Sequence, residues 1–269
     1  MKDELNQNLV FLKLGGSLIT DKLRPRTERR PVIRRLAQEI QSALQACPDM
    51  KLLIGHGSGS FGHVEAQRYQ TRQGVRTEDD WLGFSHVVHS AATLHRTIIG
   101  AFLLENLPVV GIQPFSTARC SNGQIVDMDW EFVSNVFDNG LIPVVYGDAS
   151  FDEEIGGTII STEEIFSFLA QKLLPRSILI AGISDGVIGV DDQPLERITP
   201  KDLSHLREIV KGSSAVDVTG GMASKVDLML KLTGSHPKMT VRIFSGERIG
   251  NVKRILSEPE FVSGTLLSS

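Results

Sequence analysis

A chain of 269 residues is long enough for one large α/β domain or two small ones. With 41% hydrophobic and 22% charged residues its composition is that of an ordinary globular protein, and a net charge of −4 argues against nucleic acid as a partner while leaving room for a local basic pocket. Two cysteines, Cys47 and Cys120, speak against a disulfide framework and fit a reducing compartment. Residues 1–8 carry no apolar run of the kind found in a secretory signal, and no apolar stretch reaches the length needed to span a bilayer. A cytoplasmic protein with no membrane partner is expected.

Residues 9–14 read as a strand that carries one lysine, Lys13, and ends directly in Gly15-Gly16-Ser17. Small residues after a strand let backbone N–H groups approach an anion; a plain tight turn is the competing reading. Lys13 weights the first, because an ammonium buried near a strand end needs an anionic partner. Lys22 follows nine residues later and taken alone reads as a solvated surface charge. The basic run 24–35 leads into a helix at Pro31, with Val32, Ile33, Leu36, Ile40 and Leu44 at helical spacing.

Residues 52–54 form a second short apolar strand. It runs into Gly55-His56-Gly57-Ser58-Gly59-Ser60-Phe61-Gly62-His63, with four glycines in eight residues and a histidine at either side. Such a stretch brings backbone close to a ligand, and a helix starting after it turns its positive end toward the same anion. A bound phosphate touched by His63 is the expectation. Gly57, Gly59 and Gly62 also satisfy the dinucleotide pattern G-x-G-x-x-G, with Asp79 and Asp80 about 20 residues further on. Those aspartates sit in a polar stretch rather than at a strand end, and that reading leaves Lys13 and Lys225 without a task.

Residues 71–81 are polar and read as a loop. Phe84, Val87, Val88, Ala91, Leu94, Ile98, Phe102 and Leu103 then mark a long helix. Phe84 and Val87 are candidates for an apolar substrate pocket and, on pattern alone, ordinary core. His86 and His89 lie three apart with no evident third ligand, so no metal site is expected. Residues 108–112 are the next strand, and 113–140 read as irregular chain plus a helix around 130–137. Residues 141–148 make a strand running into Gly147-Asp148. An aspartate there sits where open α/β sheets place ligands; it could fix a lysine or a metal, or cap a turn.

Residues 152–157 are turn-like and could form a hairpin. Ser161-Thr162-Glu163-Glu164 has the form of a capping box opening a helix to Leu174, a reading favoured over a catalytic carboxylate pair. Residues 177–183 are an apolar strand ending in a turn at Ser184-Asp185-Gly186, and 198–212 read as peripheral. Thr219-Gly220-Gly221 at a helix start would present N–H groups to an anion, with Lys225 about one turn further in. A late strand at 239–244 and an edge strand within 261–267 close the chain. Strands alternating with helices predict a largely parallel sheet covered on both faces.

Three separate glycine-containing anion sites are more than one phosphate needs. They suit a triphosphate plus a second anionic group, whose mutual repulsion lysines and Mg²⁺ would offset during phosphoryl transfer. No G-x-x-x-x-G-K-[ST] pattern occurs, which excludes a P-loop nucleoside triphosphatase.

Residues 13–22 (KLGGSLITDK), the Gly-Ser-Phe-Gly-His ending of the central loop, Tyr146-Gly147-Asp148, and Thr219-Gly220-Gly221-Met222 with Lys225 together resemble the amino-acid-kinase superfamily, and within it the isopentenyl phosphate kinases. The similarity spans nearly the whole chain in order; the fosfomycin kinases share much of it. The resemblance implies an α/β fold of the three-layer αβα sandwich type with a largely parallel open sheet. It implies a single domain, 1–269, with an acceptor-binding lobe over 1–150 and a nucleotide-binding lobe over 151–269, assembled as a homodimer.

It further implies ATP and Mg²⁺ as cofactors and isopentenyl phosphate as acceptor, with a fosfomycin-type phosphonate kinase or a non-catalytic nucleotide sensor as alternatives. Lys13, Gly15, Gly16 and Ser17 would contact the ATP phosphates, and Gly59, Asp185, Gly221 and Lys225 would serve the nucleotide. Lys22 would stabilise the transferred group and Asp148 would organise the lysines. Gly57, Ser58 and His63 would hold the acceptor phosphate with Gly157 nearby, and Phe84 and Val87 would line a slot for its tail. An alkyl phosphate has its second pKa at about 6, so its oxygen needs no general base and His63 is cast as a positioning donor. The chain departs from the family pattern at Ser58, where glycine is usual, at 161–164, where Ser-Gly-Asp-Asp is usual, and at 182–186, where Thr-Asp-Val-Asp-Gly is usual. The last two bear on base and ribose contacts.

Overall fold

The structure, a computed structural model, describes residues 4–205 and 221–269. Its central strand is β1 (Asn6–Leu14), buried from Leu9 onward. β1 pairs in parallel with β2 (Lys51–His56) on one side and with β9 (Pro175–Gly182) on the other. Beyond β2 lie β6 (Ile142–Tyr146) and then β3 (Val109–Gly111), again parallel. Beyond β9 lie β11 (Thr240–Ser245), β12 (Thr265–Leu267) and β10 (Arg197–Ile198), with β12 antiparallel to β11. Strands covered on both faces read as continuous apolar runs, which is why the sequence marks them so clearly. The last strand is not an edge: β12 is wedged between β11 and β10.

Alternation along β1 sorts the two faces. Val10, Leu12 and Leu14 pack with Ile33, Leu36 and Ile40 of α2 (Arg30–Ala46) and with Leu94, Ile98 and Phe102 of α4 (Glu78–Leu104). Leu9 and Phe11 face the other layer, with Val133 of α6 (Trp130–Asp138), Ile165 and Phe166 of α7 (Thr162–Leu173), and Val226 and Met229 of α8 (Gly221–Ser235). Lys13 continues that odd-numbered series, so its side chain leaves β1 toward α7 and α8.

A second sheet of four strands, β5 (Gln124–Met128), β4 (Ala118–Ser121), β7 (Asp148–Asp152) and β8 (Gly156–Ile160), corrects two expectations. Residues 113–128 are not irregular: they hold a short helix, α5 (Pro114–Thr117), and the β4–β5 hairpin. That hairpin turns at Asn122-Gly123, both at positive φ, a pairing that an Asn-Gly dipeptide favours. The strand expected over 141–148 breaks at Gly147, whose N–H donates to His56 O at 3.0 Å. Asp148 therefore opens β7 of the small sheet instead of ending a strand of the large one.

Helix α4 corrects a third expectation. It is 27 residues long and apolar enough, by length and composition, to cross a membrane. Its buried face of Phe84, Val87, Ala91, Leu94, Ile98 and Phe102 packs inside the protein, and core helices pass the same test. Its start is a capping box between Thr77 and Asp80, which gives one of the two aspartates weighed with the dinucleotide pattern a structural task.

Candidate active site

The carboxyl ends of β1 and β2 deliver the first two glycine stretches side by side. Gly15 leaves β1 with its N–H on Ala181 O of β9 at 2.8 Å, and Gly57 leaves β2 with its N–H on Leu14 O at 3.1 Å. The two turns then touch backbone to backbone. A Cβ on Gly16 would fall 2.6 Å from Gly59 N, and one on Gly57 would fall 2.8 Å from Gly16 N. Backbone cannot yield as a side-chain tip can, so any larger residue would pry the turns apart. Gly59, at φ +50, opens helix α3 (Gly59–Tyr69), with Ser58 as its N-cap; the carbonyl of Ser58 accepts from Phe61 and Gly62 N–H. The helix thus begins inside the glycine stretch, its positive end turned to the junction of the two turns. His63 lies in the first turns of this helix.

Behind the first turn sits a buried charge group. The Lys13 ammonium pairs with Glu163 Oε1, and Lys225 Nζ lies 3.9 Å from the same oxygen. Glu163 is 3% exposed. Burial alone would push its carboxyl up, but Lys13 and Lys225 outweigh that and hold it below the usual carboxylate range. Two ammonium groups thus converge on one carboxylate near the end of β1. Lys225 comes from the second turn of α8, which opens at Gly221 with φ +74. Thr219 and Gly220, the rest of that predicted anion site, lie outside the described residues.

The sequence reading casts Asp148 as the organiser of the lysines and assigns 161–164 to helix capping. The capping box is present: the Ser161 hydroxyl accepts from Glu164 N–H, and the Glu164 carboxylate accepts from Ser161 N–H at 2.6 Å. Glu163 is left over from that box, and it is the carboxylate between the lysines. Asp148 finds its partners elsewhere. Its carboxyl accepts from Phe115 N–H at 3.2 Å and Ala149 N–H at 2.9 Å and meets the Tyr146 hydroxyl. Burial pushes it up to about 7, against the pull of those three donors. A capping signature explains acids at a helix start so well that it hid the second role of this run.

Lys22 and Ser17 line a cleft of about 410 Å³ together with Thr20, Asp21, Arg29, Ile183 and Glu247. Arg29 braces its wall, donating to Leu18 O at 3.1 Å and pairing with Glu247. Asp185, just past β9, pairs with Arg248 at 2.6 Å on the surface. Phe84 and Val87 join Ala66, Val75, Ala149 and Ile159 in a separate apolar cluster. Gly157 is against it: a Cβ there would fall 2.9 Å from Phe84 Cε2. Trp81, Phe115 and Phe151 surround Phe84 with ring centroids 5.4–5.8 Å away.

Beneath the central loop lies a feature the sequence pattern leaves unassigned. His56 is fully buried between Tyr146, stacked at 5.5 Å, and His95 of α4. Its Nδ1 lies 3.2 Å from Gly57 O, so Nδ1–H donates there and Nε2 accepts from His95 Nδ1–H at 3.0 Å. Burial holds both rings neutral: His56 goes well below its ordinary value, and His95 goes down to about 4.

A mainly parallel sheet covered by helices, with two glycine turns side by side at its carboxyl edge, is the fold of an amino-acid kinase. The sequence model of the Amino acid kinase family matches residues 8–245, and the chain belongs to that family. It is 31% identical to the isopentenyl phosphate kinase of Methanocaldococcus jannaschii, over 94% of this chain and 96% of that one. It is 30% identical to the isopentenyl phosphate kinase of Methanothermobacter thermautotrophicus, over 97% and 99%. Among solved structures, an isopentenyl phosphate kinase superposes with a TM-score of 0.82 at 27% identity, covering 97% of this chain and all of the other.

Proposed function

We propose that the protein transfers the γ-phosphoryl group of ATP to isopentenyl phosphate, giving isopentenyl diphosphate and ADP. The observation that carries this reading is the backbone contact between Gly16 and Gly57–Gly59, which sets two anion cradles against each other beside the Lys13–Glu163–Lys225 group. The donor phosphates lie along Gly15, Gly16 and Ser17, with Lys13 and Lys225 behind them. The acceptor phosphate lies on Gly57, Ser58 and the amino end of α3, with His63 as its positioning donor. An acceptor oxygen attacks the γ-phosphorus as the bond to the β,γ-bridging oxygen breaks. Above about pH 6 that oxygen carries its charge already, so no base is required. Lys22, on the cleft wall, meets the charge on the transferred group.

The isopentenyl tail fits the apolar cluster of Phe84 and Val87 next to Gly157. Mg²⁺ would be carried on the ATP phosphates with its own waters, as it commonly is at such sites. When bound it adds further neutralisation of the phosphates. Two copies of the chain forming a dimer in the cytoplasm complete the proposal. ADP release measured with isopentenyl phosphate, fosfomycin and uridine monophosphate in parallel tests it. Turnover is expected with the first; turnover with only one of the others, or ATP binding with no turnover at all, would overturn it.

A further inference from the structure

One hydroxyl joins the two substrate cradles. Thr20 follows the short helix α1 (Gly16–Ile19) and is 1% exposed. Its Oγ1 donates to Gly16 O at 2.7 Å and accepts from Ser60 N–H at 3.0 Å. Gly16 belongs to the donor turn, and Ser60 is the second residue of α3, on the acceptor loop. At that position an N–H has no partner within its own helix, so Thr20 satisfies a donor that would otherwise be stranded under cover. The fit leaves no slack: a Cβ on Gly59 would lie 2.2 Å from Thr20 Oγ1.

Ser60 is also where the Lys22 loop is fastened. Its carbonyl accepts from Arg26 N–H at 3.2 Å and its hydroxyl from Thr27 N–H at 3.4 Å, while Asp21 N–H reaches Thr27 O at 2.9 Å. Residues 20–27, with Lys22 near the start, are therefore closed into a loop pinned at both ends on one residue of α3. Donor turn, Lys22 loop and acceptor loop meet at the Thr20–Ser60 contact. Displacing one of these by an ångström is enough to cost about 100-fold in rate at a positioned site.

We propose that Thr20 is a positioning residue that couples the two substrate sites, so that filling the donor cradle orders the acceptor loop through its hydroxyl and the reverse. The inference rests on the kinase reading above. Coupling of this kind is reciprocal: whatever factor the nucleotide lends the acceptor, the acceptor lends the nucleotide.

The test is calorimetric binding of isopentenyl phosphate with and without a non-hydrolysable ATP analogue, together with steady-state kinetics, in the wild type and in Thr20→Val, Thr20→Ala and Thr20→Ser. In the wild type the analogue should tighten isopentenyl phosphate binding by about fivefold or more. Thr20→Val should abolish that factor and lower kcat by about 10- to 100-fold, with each substrate's affinity measured alone little changed. Thr20→Ser, which keeps the hydroxyl, should restore the factor. Thr20→Ala removes the hydroxyl without crowding Gly16, so it supplies the answer if Thr20→Val does not fold; melting temperatures identify that case. A wild type with no coupling, hydroxyl-free variants that keep it, or a serine variant that loses as much as the valine one would each overturn the proposal. Absence of isopentenyl phosphate turnover in the wild type strikes the proposed activity instead, and the coupling is then read with whichever acceptor of the panel does react.

Discussion

The two walls of the transfer site hold their cations in opposite ways. On one wall Lys13 and Lys225 share Glu163, a carboxylate with almost no exposure, near the end of β1. On the other wall Lys22 rides an exposed loop next to Leu23, which is 91% exposed, and that loop is held by backbone bonds and by Thr20. A buried ammonium cannot be left without its counter-charge, so its position is set by folding. A solvated one owes nothing to stability and can follow the group being transferred. The difference teaches that equal charges in one site can be held unequally: in the proposed reading one wall is a fixed mould for the nucleotide, the other an adjustable contact.

Glu163→Gln attacks the mould and should have the largest effect. It removes the charge that Lys13 and Lys225 share, and breaking a buried pair costs about 3–5 kcal/mol, readable by urea unfolding. ATP, whose phosphates replace the lost charge, should raise the melting temperature of this variant more than that of the wild type; an equal or smaller rise would mean the lysines do not face the nucleotide. Lys22→Ala attacks the adjustable wall. Turnover should fall about 100- to 1,000-fold, as when one transition-state donor is removed, with stability within about 0.5 kcal/mol of wild type. A stability loss as large as that of Glu163→Gln would erase the contrast.

The support beneath the loop should show in the pH dependence of unfolding. His95 is held down at about 4, below its ordinary 6.5, so the unfolded chain takes up a proton that the folded one refuses. That penalty is absent above pH 6.5 and grows on acidification to about 3 kcal/mol near pH 4. His95→Gln should flatten that acid-side fall in melting temperature. Asp148 acts with the opposite sign. Its folded value of about 7 lies above the unfolded one of 3.8, so its contribution is full below pH 4 and is lost as pH rises toward 7. Asp148→Asn should remove that loss, and an unchanged slope in either variant would mean the groups are not buried as described. Smallest of all, Arg248→Gln opens an exposed pair with Asp185 and should shift stability by about 1 kcal/mol or less.

Much of this architecture is legible from local pattern. Apolar runs mark β1, β2, β6, β9 and β11, and Ser161 and Glu164 mark the start of α7, because burial on both faces and helix capping each leave a short-range signature. The β4–β5 hairpin was equally open to reading from Asn122-Gly123, although the polar surroundings favour an irregular reading. The break at Gly147 leaves no such trace. An apolar stretch continues through it, and only the hydrogen bond to His56 O and the demands of a second sheet divide it.

Read alone, the sequence determined that strands alternate with helices, that glycine turns follow β1 and β2, and that a lysine stands just before the first turn. Those are properties of neighbours along the chain. Which carboxylate would meet that lysine, which threonine would bridge the two turns, and which histidine would lie sealed under the loop were decided only when β1, α3, α4 and α7 packed together. The physical reason is that an ion pair or a hydrogen bond depends on distance in space, and residues such as Lys13 and Glu163, or Thr20 and Ser60, acquire theirs only from the stacking of whole strands and helices.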